Sequence, residues 1–177
     1  MRDLETRMRT VRGKQLDVLM QVMTRDDNDE WTINRCYPCG HNLNIRYSTN
    51  EYSCSFCNEN ESLEHYFYSC PYVKRFWKSF MNWWKTIYDC YIQLNVLDIL
   101  FGIVNENNDN MIGCLNFCIL LAKRYIKSVH ENGNKDYFIY DFQIEIKNSI
   151  DIEEYIYTKN DQKEIFERKW NFFREHS

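Results

Sequence analysis

Residues 54–86 read CSFCNENESLEHYFYSCPYVKRFWKSFMNWWKT, a cysteine- and histidine-bearing segment that passes through one proline into an aromatic, basic one. The first half has the spacing Cys54-x2-Cys57-x7-His65-x4-Cys70. In the second half Val73, Phe76, Trp77, Phe80, Trp84 and Ile87 recur at intervals of three and four, the period of an amphipathic helix. Pro71 stands at the start of that helix, where a missing N–H is tolerated. Together the halves predict a mostly α fold, a helical domain with a small irregular zinc knuckle, for which these three cysteines and one histidine are one candidate ligand set.

The rest of the chain agrees with a helical domain. At 177 residues, 44% apolar and 16% aromatic, it is long enough to bury a core. Five glycines and two prolines leave few turn signals, which favours long helices over a sandwich of short strands. Ser62 is placed to cap a short helix over 63–69 that carries His65 in its first turn. The segment VLDILFGI ends at Gly102, a helix stop. Asp109 or Asn110 caps a longer helix to about His130, apolar nearly all round in its first half and therefore expected to be the most buried. After a turn at 131–134, Phe138, Phe142, Ile146 and Ile150 fall in helical register. Asn160 and Asp161 then cap a last helix with Ile165, Phe166, Trp170 and Phe173 on one side. Three segments result: a poorly defined helix and loop over 1–50, the knuckle and basic helix over 51–90, and a helical region of the same domain over 91–177.

Residues 1–50 are the least regular. Leu16, Leu19, Met20 and Met23 fit one helical face, and the acidic stretch RDDNDE follows. Arg25-Asp26-Asp27 superficially resembles the aspartate pair of polymerases, but that pair sits between apolar strands, and here more acidic residues follow. A solvated acidic loop is the better reading.

The N-terminus MRDLETRMRTVRGK is charged throughout and has no apolar signal-peptide core. The most apolar run, 111–122, is about half the ~20 residues of a membrane span. An intracellular protein, nuclear or cytoplasmic, with no membrane partner is expected. Thiols are then reduced by default, and Cys-x2-Cys points to metal or redox chemistry rather than to disulfides.

Three thiolates and one imidazole suit Zn2+ better than magnesium or calcium. A second Cys-x2-Cys pair, Cys36 and Cys39, leaves the partition open. Cys36, Cys39, Cys54 and Cys57 are spaced x2, x14, x2, one residue short of a common four-cysteine ribbon. Spacing leans toward Cys54, Cys57, His65 and Cys70 without deciding. Cys90, Cys114 and Cys118 lie on apolar helical faces as small core residues, and His41, His130 and His176 are expected on the surface. Four protein ligands close a zinc site, and no nucleophile–base order or Gly-rich phosphate loop stands out, so no catalytic residue and no enzyme is expected.

The run C-S-F-C-N-E-N-E-S-L-E-H-Y-F-Y-S-C-P-x-V-x-x-F-W resembles the C-terminal zinc-binding segment of reverse-transcriptase proteins from LINE-type (non-LTR) retrotransposons. The likeness continues through ILFGI at 99–103, ILLAKRYI at 119–126, IEEYIYTKND at 152–161 and FERKW at 166–170, covering roughly residues 50 to 174. The resemblance implies the ligand set Cys54, Cys57, His65 and Cys70. It also implies a role in binding nucleic acid, template RNA or target DNA, by a piece detached from its polymerase and endonuclease regions. The first 50 residues depart from the family pattern.

Local charge is the physical counterpart of that role. The chain carries a net charge of −4, yet Lys74, Arg75, Lys78 and Lys85 put four cations between Pro71 and Ile87 with no acidic residue among them. Lys123, Arg124 and Lys127 form a second cluster, expected to be solvent-exposed like the first and to share a positive face with it beside the knuckle. Tyr72 or Trp83 is placed to stack on bases. The aromatic residues Phe76, Trp77, Phe80 and Trp84 are equally well explained as core. The competing expectation is an inert retrotransposon-derived fragment, or a structural or protein-interaction domain that binds no nucleic acid, in keeping with the acidic stretches at 25–30 and 151–154.

Overall fold

A computed structural model describes residues 53–177, apart from 105, 106 and 108. The expected helical face of Leu16 to Met23, the acidic loop, the Cys36/Cys39 pair and His41 lie outside the described residues. Two compact units are present, one ending at Cys70 and the other running Pro71–Ser177.

In the first unit the chain folds back on itself at once. Ser53 and Asn60 form a single antiparallel bridge. Inside it, the Cys54 amide donates to the Glu59 carbonyl at 2.7 Å and the Asn58 amide to the Cys54 carbonyl at 2.8 Å. Asn58 closes this turn at φ 62°, a left-handed conformation that asparagine adopts more readily than most residues. Residues 63 and 64 begin a helix that widens into a π-helical turn, His65–Ser69.

The second unit holds five α-helices among the described residues: α1 (Pro71–Tyr88), α2 (Val96–Phe101), α3 (Asn110–Glu131), α4 (Ile139–Lys159) and α5 (Lys163–His176). No strand is present among the described residues, so the mostly α expectation holds. No described helix is long and apolar enough to cross a membrane.

Helix α5 packs on α1, α3 and α4, and α4 also packs on α1 and α3. Their shared interior is largely aromatic. Phe76, Phe80, Trp84, Phe142, Phe166, Trp170 and Phe173 are all below 2% exposed. Phe76 meets Phe142 edge-on at 5.3 Å, and Trp170 meets Phe173 at 5.5 Å. Each such burial contributes about 1.5–3 kcal/mol. Helix α3 contributes eight buried residues, Cys114 and Cys118 among them, against six from α1.

Capping residues set the helix ends. The Asn95 side chain accepts from the Leu97 and Asp98 amides at 2.8 and 3.1 Å, and Asp98 accepts in return from the Asn95 amide at 3.1 Å. This reciprocal box starts α2. Gly102 ends it at φ 79°. The Asn116 side chain then clasps Ile103, accepting from its amide at 2.7 Å and donating to its carbonyl at 2.8 Å. Asp109 starts α3 by accepting from the Met111 amide at 2.7 Å.

Three details differ from the sequence-based expectation. Phe138 is 55% exposed because α4 begins one residue later, so helical periodicity does not reach it. Ile165 is 47% exposed, since it lies at the edge of the arc defined by Phe166, Trp170 and Phe173. Neither Asn160 nor Asp161 caps α5, which starts after Gln162 without a side-chain cap.

Candidate metal centre

The backbone turn at 54–59 and the helical segment at 63–69 bring four side chains to one point. The sulfurs of Cys54, Cys57 and Cys70 and a ring nitrogen of His65 all lie within 4.8 Å of one another. A zinc tetrahedron with ligand bonds of ~2.0–2.3 Å has edges of about 4 Å, so the donors need to move little to close on an ion. Cys57 Sγ lies 3.2 Å from His65 Nε2.

Each of the four side chains is placed by a local device. Cys54 and Cys57 flank the turn closed by Asn58. His65 is oriented by Ser62, whose hydroxyl accepts from the His65 amide at 3.0 Å, so the expected cap is present. The Tyr66 amide donates to the Ser62 carbonyl at 2.9 Å, holding the first turn. Cys70 is reached through the π turn, in which its amide donates to the His65 carbonyl at 3.0 Å. That i→i+5 bond places His65 and Cys70 five residues apart at the two ends of one widened turn.

The donor set fits a metal ion. Cys54, His65 and Cys70 are buried and Cys57 is half-buried. Burial pushes the Cys54 thiol up to about 12, while backbone hydrogen bonds from Phe56 and Cys57 pull the other way and the nearby Cys70 adds to the rise. Amides aimed at a sulfur favour its thiolate, the form a metal binds, and a bound dication would itself favour deprotonation. These four residues could hold a metal ion. Cys90, Cys114 and Cys118 take no part. Cys114 and Cys118 are buried in α3, and Cys114 donates to the Lys169 carbonyl at 3.2 Å. Cys90 lies beyond the end of α1 rather than on a helical face, with its thiol 3.8 Å from the Met111 sulfur.

The basic residues divide into two classes. Lys74, Arg75, Lys78 and Lys85 are exposed along the outer side of α1. The second cluster departs from the expected exposed set. Lys123 turns inward and its ammonium donates to the Leu100 carbonyl at 3.1 Å, with burial lowering its pKa to about 8. Arg124 is exposed but pairs with Glu145 at 2.6 Å, and Lys127 pairs with Glu131 at 3.6 Å. Much of the acidic 151–154 stretch is likewise engaged. Glu153 accepts from Lys169 at 2.7 Å and from the Trp170 indole at 2.6 Å, and Glu154 pairs with Arg174 at 3.0 Å.

Of the aromatic candidates, Trp83 is half-buried with its ring edge-on to Phe173 at 5.8 Å. Tyr72 is half-buried, with the Arg75 guanidinium 4.8 Å and the Lys135 ammonium 5.8 Å from its ring centre. Lys135 was not a sequence candidate, because it is far from α1 along the chain and nothing local marks it. His130 is half-buried rather than on the surface, whereas His176 is exposed and stacks on Phe172 at 4.4 Å. In comparisons with protein families, curated proteins and solved structures, nothing matches this chain.

Proposed function

We propose that this chain is a nucleic-acid-binding module, RNA being the favoured ligand, stabilised by Zn2+ on Cys54, Cys57, His65 and Cys70. In this reading it corresponds to the C-terminal segment of a LINE-type reverse transcriptase, acts through binding rather than catalysis, and uses α1 as its contact surface. The observation that carries it is the outer side of α1. Lys74, Arg75, Lys78 and Lys85 are exposed there, no acidic residue lies between Pro71 and Tyr88, and none of the four has an ion-pair partner among the described residues. Unpaired cations on one helix attract phosphates and release counterions from the strand. The Tyr72 ring, flanked by Arg75 and Lys135, adds a stacking surface beside them.

The α3 cluster contributes less, since Arg124 and Lys127 are already neutralised by carboxylates. That neutralisation, with the net charge of −4, favours the second reading, a protein-interaction domain without a nucleic-acid role. Titration of labelled single-stranded RNA against the zinc-loaded chain at low and moderate salt separates the two. Binding should fall steeply with salt, and Lys78→Ala should lower the log–log slope by roughly 0.7–0.9. No binding at low salt, or binding indifferent to removal of the α1 cations, favours the protein-interaction reading.

A further inference from the structure

Helix α4 is apolar on two opposite faces. Its inner face buries Phe142, Ile146 and Ile150. Its outer face leaves Tyr140 68%, Ile144 45%, Ile152 61%, Tyr155 64% and Ile156 50% exposed. Isolated exposed apolar residues are ordinary, but five along one side of a helix, interrupted only by Asn148, are the kind of pattern that marks an interaction surface.

The order of the outer residues suggests what covers them. Tyr140, Ile144, Asn148, Ile152 and Ile156 are spaced by four and read nearly the same in both directions about Asn148. A row of i, i+4 residues is the ridge that packs into the matching groove of a second helix, at a crossing of about −50°. We propose that the outer face of α4 is a self-association surface, on which a second copy of this chain packs antiparallel about Asn148.

Charge supports the antiparallel pairing. Lys147 and Asp151 lie on the same flank of the stripe, are exposed, and have no ion-pair partner among the described residues. In an antiparallel pair centred on Asn148, Lys147 of each copy lies about 3 Å along the axis from Asp151 of the other, within reach of a lysine. A parallel pair would instead set like charges side by side. The polar Asn148 at the centre fixes register, as a single buried asparagine does between paired helices. The apolar side chains offer on the order of 600 Å2 per copy, or about 1,200 Å2 in all, the lower end for a specific interface.

Sedimentation equilibrium of the full metal-loaded chain tests this. A reversible dimer should appear with rising concentration, and Ile152→Asp should abolish it. Lys147→Glu and Asp151→Lys should each weaken the dimer about tenfold, because each change acts twice across a two-fold axis. The double variant Lys147→Glu/Asp151→Lys should restore it, which a merely sticky surface does not do. Circular dichroism checks the fold of every variant, and the charge exchange decides if Ile152→Asp misfolds. A chain that stays monomeric at its highest soluble concentration overturns the proposal. So does a dimer indifferent to the charge exchange. A monomer in which Tyr155 is shielded from iodination assigns the face to residues 1–52 of the same chain and overturns it equally.

Discussion

His65 Nε2 lies 3.2 Å from Cys57 Sγ, eight residues away in the chain. Two separate local structures produce that approach. A tight turn through Asn58 presents the sulfur, and a Ser62-capped helical turn presents the ring. Structural zinc contributes folding free energy, so a shared ion is a natural means of holding the two turns together. Hydrogen exchange should therefore show the Cys54, Asn58 and Cys70 amides protected in the metal-loaded chain and released by Cys57→Ser, with α3 and α5 still protected. Equal protection with and without the thiol would mean that the turn holds without metal.

Glu153 accepts from both the Lys169 ammonium and the Trp170 indole, and Trp170 is fully buried. Glu153→Ala leaves an indole N–H without its acceptor and a lysine without its counter-charge. Urea denaturation should show a loss of about 1–3 kcal/mol. Glu153→Gln should lose less, because the amide oxygen can still accept from the indole.

Trp84 and Phe80 are fully buried. Trp84→Ala should therefore cost about 3–5 kcal/mol of stability, as large core truncations do. A stable, well-folded variant that had merely lost affinity for RNA would reassign this residue from core to base stacking.

The aromatic core was legible because α1 repeats its large residues at strict spacings of three and four on a single face. In α4 the row Phe142, Ile146 and Ile150 was legible as the inner face although the helix carries apolar residues on its outer face as well. Phe138 was misjudged, since it precedes the first helical residue. The four residues that converge in the knuckle, Cys54, Cys57, His65 and Cys70, are all legible from spacing and resemblance, and the Ser62 cap from its place before the helix. Lys123 was not legible. A lysine in sequence reads as a solvated charge, whereas here it sits in a helix apolar nearly all round and finds a carbonyl inside.

Lys123 gives a pH-dependent prediction. Burial lowers its pKa from 10.5 to about 8, so between those values the unfolded chain holds more protons than the folded one. Its contribution to stability must then rise with pH across that window, and below about pH 8 the cost of burying the charge is fully present. Half-buried Tyr88 and buried Cys118, whose pKa values burial raises, slope the opposite way above their unfolded values. The wild type minus Lys123→Met difference removes their contribution. That difference should rise from pH 8 to 10.5, and a flat difference would mean the ammonium is solvated.

Gly102 ends α2 at φ 79°, and a Cβ there would come within 3.1 Å of Asn116 Oδ1. Gly102→Ala carries both the left-handed strain and displacement of the Asn116 clasp on Ile103. Thermal denaturation should show a loss of about 1–2 kcal/mol. No loss would mean that the clasp shifts freely.

Native mass spectrometry of the intact chain bears most directly on the metal centre. The wild type should carry one Zn2+ on Cys54, Cys57, His65 and Cys70, and the Cys36→Ser/Cys39→Ser double variant should keep it. Cys70→Ser should lose it or bind it far more weakly, since one of four donors that lie within 4.8 Å of one another is gone. Retention by Cys70→Ser together with loss in the Cys36→Ser/Cys39→Ser variant would contradict the assignment.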